Sequence, residues 1–212
     1  MNPGSLIAFG GLCLLLALTP GPDVLLSIRY GARRRRDGLA VALGSAAGGI
    51  GWAVLVAVGL AAVIEQSAEA YRVVRFAGGC YLLYLGVTQL MASRRRPVQP
   101  QPVRSDRERR RAGPFLAGLG SCLLNPKVGL FFLAVVPQFL PAGGSVGPAA
   151  LMLGAIDAAV ALAYLSGVVL ITAKVVGVLA RPRVLARIER VCGAVLAALG
   201  IGTAAQAVAA RS

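Results

Sequence analysis

The stretch LTPGPDVLL (Leu18–Leu26) interrupts a long apolar segment, and LNPK (Leu124–Lys127) repeats the interruption in the second half of the chain. Thr19 and Asn125 are favourable N-cap residues, and the proline after each suits the first helical position, where a missing N–H costs no hydrogen bond. Each stretch therefore predicts a helix that stops and restarts. In lipid such a break is tolerated only where it is buried in protein or lines a cavity. Two breaks, one in each half, are typical of a transporter's binding site.

The composition indicates a membrane protein. Apolar residues make up 57% of the 212 residues and charged residues only 14%. The long uncharged runs show almost none of the polar faces that helices of soluble proteins carry. Most of them reach the length of about 20 residues that a membrane-spanning helix needs. These runs cover residues 1–22, 38–64, 76–93, 128–156, 158–173 and 191–210.

The net charge of +14 does not indicate a nucleic-acid partner, because the basic residues lie between the apolar runs and not among aromatic side chains that could stack on bases. All but four of the 22 Lys and Arg residues fall in three clusters, at 29–36, 94–111 and 174–190. The clusters follow alternate apolar runs, and the positive-inside rule assigns such loops to the cytoplasm. Six spans with both termini outside the cytoplasm satisfy all three clusters.

The six predicted spans form two groups of three. They cover about 5–27, 39–63 and 73–92 in a first repeat, residues 1–92, and about 114–139, 147–173 and 188–209 in a second repeat, residues 114–212. Residues 93–113, rich in Arg, Pro and Gln, are predicted to be a disordered cytoplasmic linker between them. Because three spans is an odd number, the two repeats must lie upside down to one another. The predicted fold is thus all-α, with six spans in two inverted repeats and with spans one and four broken at prolines.

Three ionisable residues, Asp23, Lys127 and Asp157, fall within or close to the apolar spans. A charge at the bilayer centre costs at least ~2.5 kcal/mol, so such residues face inward and usually serve function. Asp23 and Lys127 are predicted to pair across the pseudo-symmetry axis, either as a structural ion pair or as part of a binding site. Asp157 is either a candidate proton carrier or a protonated carboxyl group bonded to a neighbouring helix.

Other chemistry-bearing residues are few. Tyr81 and Tyr84 share a helix face, which either lines a cavity or packs against another helix. The chain has no histidine, and its cysteines match no zinc or redox spacing, so no metal or cofactor site is predicted. The cysteines are interpreted as small core residues: Cys13, Cys80, Cys122 and Cys192.

Several motifs resemble those of the LysE-type amino-acid exporters, in the same order along the chain. They are TPGPDVL at 19–25, ALG at 42–44 with Gly48, GGCYLLYLG at 78–86, and NPK at 125–127 followed by FF at 131–132 and PQF at 137–139. The resemblance implies secondary active export of amino acids or their derivatives across the bacterial inner membrane, with protons as the expected coupling ion. Many members have an acidic residue where this chain has Gly49. The coupling, if present, must then use Asp23 or Asp157.

The predicted substrate site brings the two breaks together. The N–H groups of Lys127, Val128 and Gly129 are expected to bind the substrate carboxylate, and Asp23 the ammonium group. A cation or metal exporter and, with less support, a membrane-embedded enzyme are the alternative functions, and a homodimer is left open as the assembly. The predicted substrate-binding residues are Thr19, Gly21, Asp23, Asn125, Pro126, Lys127 and Tyr81, and the proton-coupling candidates are Asp23 and Asp157.

Overall fold

The computed structural model describes residues 1–19, 21–66, 68–92, 113–140, 145–171 and 182–209, and within these ranges every regular element is an α-helix. The predicted all-α class is therefore confirmed for the described residues. Eight helices occur there: α1 Pro3–Leu18, α2 Pro22–Arg33, α3 Arg35–Gln66, α4 Ala68–Ala92, α5 Pro114–Leu123, α6 Pro126–Phe139, α7 Val146–Leu170 and α8 Pro182–Ala209.

The second interruption has the local geometry that its sequence predicts. Helices α5 and α6 meet there at 54°. Asn125 is the N-cap of α6, and its side-chain Oδ1 accepts a hydrogen bond from the backbone N of Lys127 at 3.1 Å. Pro126 follows in the first turn of α6, where it removes no helical hydrogen bond.

The first interruption restarts later than predicted. Helices α1 and α2 meet at 63°, and the N-cap of α2 is Gly21, with Pro22 at the start of the helix. Thr19 instead ends α1 as its C-cap. Its hydroxyl donates to the carbonyl oxygen of Leu15 at 3.0 Å, so the side chain is used by the helix that ends and cannot cap the one that begins.

Two helices in the described ranges are long and apolar enough to cross a membrane alone, through the segments Arg35–Gly59 and Val146–Leu170. The number is four if each bent pair counts as one span. Helices α4 and α8 contribute the shorter apolar segments Phe76–Thr88 and Arg190–Ala205. The six-span inverted repeat therefore stays a prediction, and the predicted linker at 93–113 lies, apart from Gly113, outside the described residues.

Glycine allows α4 and α8 to pack backbone against backbone. A Cβ atom at Gly79 would lie 2.8 Å from the backbone N of Ala204, and one at Gly86 would collide with the backbone of Ala197. Small residues at helix contacts in a membrane permit this close approach. The same arrangement joins α3 to α5, where a Cβ atom at Gly44 would collide with the backbone of Phe115.

An aromatic cluster connects α1 to α6 in the centre of the molecule. Phe9 is fully buried, and its ring lies 6.2 Å from that of Phe131 and 5.3 Å from that of Phe139. Phe132 is also fully buried and packs edge-on against Phe131. These contacts hold the first half of one broken pair against the second half of the other, and so they fix the relative position of the two breaks.

Replacement of Gly86 by alanine should destabilise the protein, because the new Cβ would overlap backbone atoms of α8 that cannot move independently. We expect a loss of about 1–3 kcal/mol, as for other overpacked cores, and a lower melting temperature in detergent. Gly202→Ala is the matched control, because nothing lies within 4 Å of its Cβ position on α8. Equal melting temperatures for the two variants would contradict the close packing of α4 and α8.

Candidate functional site

A cavity of about 60 Å³ lies where the two breaks meet. At roughly 10–15 Å³ for each water molecule, it has room for a handful of waters or for a small solute. Helices α1, α2, α3, α5, α6 and α7 all contribute to its wall, so both halves of the chain build it. Polar and sulfur-containing residues of the wall are Cys13, Thr19, Asp23, Ser45, Cys122, Asn125, Lys127, Asp157 and Tyr164, with Gly21 beside them.

The Lys127 ammonium group caps the end of α1. Its Nζ donates to the carbonyl oxygens of Leu16 at 2.8 Å and of Thr19 at 3.1 Å. The C-terminal end of a helix carries partial negative charge and unpaired carbonyl groups, and both favour a cation there. The predicted direct ion pair between Lys127 and Asp23 is accordingly not among the contacts of the described residues. The lysine side chain leaves the start of α6 toward the carbonyls of α1.

Asp23 keeps one carboxylate oxygen unpaired. Its Oδ2 accepts a hydrogen bond from Asn125 Nδ2 at 3.4 Å, whereas the buried Oδ1 has no hydrogen-bond partner in the described structure. The hydroxyl groups of Ser45 and Ser121 lie beside this carboxylate. Ser121 Oγ is itself buried and without a hydrogen bond. The result is a carboxylate oxygen and a hydroxyl group, both able to bind a donor, in a desolvated pocket.

The backbone N–H groups of the second break are already used. The N–H of Lys127 bonds to Asn125 Oδ1, and those of Val128 and Gly129 bond to the Asn125 carbonyl at 3.1 and 3.2 Å. The three groups predicted to bind the substrate carboxylate thus all have partners on Asn125 in the described structure.

The first break is the more open one. Gly21 offers no side-chain cap to α2, and the first backbone bond of this helix runs from the N of Leu25 to the O of Gly21, at 3.2 Å. The N–H groups of Asp23 and Val24 precede that bond, in the first turn, where helical N–H groups have no partner in their own helix. Both residues line the cavity. The start of α2 therefore retains first-turn N–H groups that its own helix does not use.

Asp157 reaches the cavity from α7. It is only 7% exposed, and its carboxyl group interacts with the thiol of Cys13 on α1. A Cβ atom at Gly49 would lie 2.9 Å from Asp157 Oδ2, so the absence of a side chain on α3 provides the space that this carboxylate occupies.

Trp52 supports the second break from α3. Its Nε1 donates to the carbonyl oxygen of Cys122 at 3.3 Å, one of the last carbonyl groups of α5. The six-membered ring of the indole covers Gly129, where an added Cβ would collide with it. The same carbonyl accepts from the backbone N of Asn125 at 3.1 Å, so Trp52 is a second donor to the end of α5 and also packs on the start of α6.

Two predicted site residues lie away from the cavity wall. Tyr81 on α4 packs against Tyr84, with ring centroids 6.0 Å apart, and Pro126 is exposed.

Of the cysteines, Cys13, Cys122 and Cys192 are buried as predicted, but Cys80 is exposed. The apolar sequence around Cys80 has no feature that distinguishes an exposed position from a buried one. Ser45 and Ser121 were missed as site residues, because hydroxyl groups among small residues look like helix-packing positions.

A family model described as LysE type translocator matches residues 14–206. The chain belongs to this family. The matched range contains both breaks and most of the cavity wall, so the described site lies within the part of the chain that carries the family likeness.

Three relatives illustrate the likeness. An uncharacterized membrane protein of Bacillus subtilis is 29% identical over 161 residues, which are 72% of this chain and 75% of that protein. The threonine efflux protein of Escherichia coli K12 is 28% identical over 138 residues, 65% of this chain and 66% of its own length. The homoserine/homoserine lactone efflux protein of Salmonella typhi is 29% identical over 127 residues, 59% of this chain and 60% of its own. No solved structure matches the chain significantly.

Asn125→Ala should cost more stability than an ordinary N-cap, because Asn125 both caps α6 and donates to Asp23. Loss of an N-cap costs about 0.5–2 kcal/mol, and the lost contact to a buried carboxylate adds to it. Asn2→Ala is the matched control, since Asn2 caps α1 through the same hydrogen bond, at 3.0 Å, but is exposed. The melting temperature in detergent measures the stability of both variants. A shift for Asn125→Ala no larger than that for Asn2→Ala would speak against the bridge.

Proposed function

We propose that this protein exports small amino acids from the bacterial cytoplasm through the cavity between its two helix breaks. Its membership of a translocator family supports this, as do two relatives named as efflux proteins, one for threonine and one for homoserine and its lactone. The observation that carries the proposal is the unpaired Oδ1 of Asp23 beside the open start of α2, both in one buried cavity.

The cavity offers complementary groups for both charges of an amino acid. The substrate ammonium group donates to Asp23 Oδ1 in the cavity wall and to Ser121 Oγ beside it, two of the three buried side-chain oxygens that have no hydrogen bond in the described structure. The carboxylate binds the N–H groups of Asp23 and Val24, where the dipole of α2 adds a favourable field. Lys127 does not compete for the Asp23 carboxylate, because its hydrogen bonds go to α1.

The size of the cavity favours a small substrate. Sites for drug-sized ligands enclose about 300–1,000 Å³, and this cavity is several times smaller. Threonine and homoserine, the molecules in the names of the relatives, are the first compounds to test.

Asp157 is proposed as the proton-coupling group. Once Asp23 holds the substrate, Asp157 is the remaining carboxyl group in the described wall of the cavity. It lies within reach of Gly49, the position at which many members of the family carry an acidic residue. In this proposal the carboxyl group of Asp157 on α7 replaces the acidic side chain that many family members carry on α3.

The transport cycle follows from the predicted topology. Six spans in two inverted repeats, with both termini outside the cytoplasm, place the basic clusters at the inner surface. Rocking of one repeat against the other then exposes the cavity to each side in turn.

Asp23→Asn should abolish or strongly weaken export, because it removes the charge that holds the substrate ammonium group. A hydrogen bond to a charged group is worth about 1.5–3 kcal/mol, so we expect the apparent affinity to fall about 10- to 150-fold. The assay is counterflow of labelled threonine and homoserine into proteoliposomes, followed by a panel of other amino acids.

Asp37→Asn is the matched control for this variant, since Asp37 lies in the first turn of α3 and outside the cavity wall. An Asp23→Asn protein that transports with unchanged apparent affinity would refute this placement of the ammonium group. Absence of transport of every amino acid by the wild type would refute the function itself.

Asp157→Asn should separate transport from the proton gradient. A pH difference of one unit supplies about 1.4 kcal/mol for each proton, so exchange of one proton accumulates substrate up to about tenfold. We expect Asp157→Asn to lose this accumulation but to retain counterflow. Gly49→Ala should reduce accumulation by displacing the carboxylate, whereas Gly59→Ala on the same helix, with nothing within 4 Å, should not. Full accumulation by Asp157→Asn would exclude it as the proton carrier.

A further inference from the structure

The end of α1 presents three carbonyl groups that receive donors from distant parts of the chain. Leu15 O accepts from the hydroxyl group of Thr19 and, at 3.3 Å, from the thiol of Cys192 on α8. Leu16 O and Thr19 O accept from the ammonium group of Lys127, which is 111 residues further along the chain than Leu16. Leu15 O and Leu16 O also accept from the backbone N of Thr19, at 3.3 Å each, so Lys127 adds a second donor to Leu16 O and provides the donor to Thr19 O, where α1 ends.

The two oxygens bound by Lys127 have the features of a cation site. They stand at the negative end of a helix dipole, they converge on one atom at 2.8 and 3.1 Å, and they line the cavity between the breaks. In broken-helix transporters, carbonyl groups of unwound segments and half-helix C-terminal ends coordinate free coupling cations. Here the cation at such a position is covalently attached to the other half of the molecule.

We propose that the C-terminal end of α1 is a monovalent-cation site that Lys127 fills from within the chain, and that a free primary ammonium ion fills it when the lysine side chain is shortened. The site goes beyond the proposed amino-acid export and does not depend on it. It gives Lys127 a role distinct from substrate binding: its ammonium group joins the start of α6 to the end of α1.

The chemistry of the site defines its ligand. The carbonyl oxygens require N–H donors together with a positive charge, which a primary alkylammonium ion provides. In Lys127→Ala the atoms Cγ, Cδ, Cε and Nζ are missing, and n-propylammonium has the same three carbons and one nitrogen. Tetramethylammonium has the charge but no N–H group, so it is the matched control for ionic strength and charge.

The test is thermal unfolding of purified Lys127→Ala in detergent. We expect a lower midpoint than in the wild type, and n-propylammonium chloride at several times its Kd should raise it by about 2–4 °C. Tetramethylammonium chloride should not raise it. Lys127→Met, whose longer apolar side chain occupies the path to the carbonyl groups, and the wild type should respond to neither salt.

Equal effects of the two salts on Lys127→Ala, or an equal response of Lys127→Met, would overturn the proposal. If Lys127→Ala cannot be purified, the unfolding midpoints of Lys127→Arg and Lys127→Met test the proposal instead. Arginine retains the charge and the N–H donors, so Lys127→Arg should unfold near the wild-type midpoint. Lys127→Met has neither and should unfold at a lower temperature. Equal midpoints for this pair would also overturn it. Because the measurement is unfolding and not transport, its outcome is independent of whether the protein exports amino acids.

Discussion

The structure depends on the satisfaction of backbone polar groups where two helices are interrupted in an apolar environment. A regular helix satisfies its own backbone, but an interrupted one leaves carbonyl groups at one end and N–H groups at the other. Lys127 meets this requirement for the end of α1, and Trp52 contributes to it at the end of α5. In each case the donor comes from a different element, so the breaks are stable only in the assembled fold. Local unfolding of the helix that carries a donor would leave the carbonyl groups at the other helix end without that hydrogen bond.

The two breaks are related in sequence, but their new helices are capped differently. Asn125 satisfies the start of α6 with its own side chain and carbonyl group. Gly21 has no side chain to offer, so the start of α2 keeps its N–H groups for another partner. One break therefore has its helix start satisfied within the chain, and the other is the break to which we assign ligand binding. The difference lies in the two N-cap residues, an asparagine at the start of α6 and a glycine at the start of α2.

The sequence predicted the all-α class of the described residues and the two helix interruptions, because uncharged runs and proline interruptions are local signals, whereas the six-span inverted repeat stays a prediction. It also predicted the Asn125 cap, which depends only on neighbouring atoms. It failed at Thr19, where two prolines offer two restart points and the threonine hydroxyl group has a competing acceptor. It failed for the Asp23–Lys127 pair because the direction of a long side chain depends on which helix end lies near, and this is decided by tertiary packing. Ser45 and Ser121 were missed because a buried hydroxyl group gives the same pattern whether it packs or binds.

Trp52 makes the second break accessible to fluorescence measurements. It is the only tryptophan of the chain, and its indole rests on Gly129 while its N–H contacts the end of α5. Any movement of α5 or α6 relative to α3 changes the polarity and hydrogen bonding around this one chromophore. The intrinsic fluorescence of the unlabelled protein therefore reports on a single location, the second break. A change in the spacing of α3, α5 and α6 is thus detectable without any added probe.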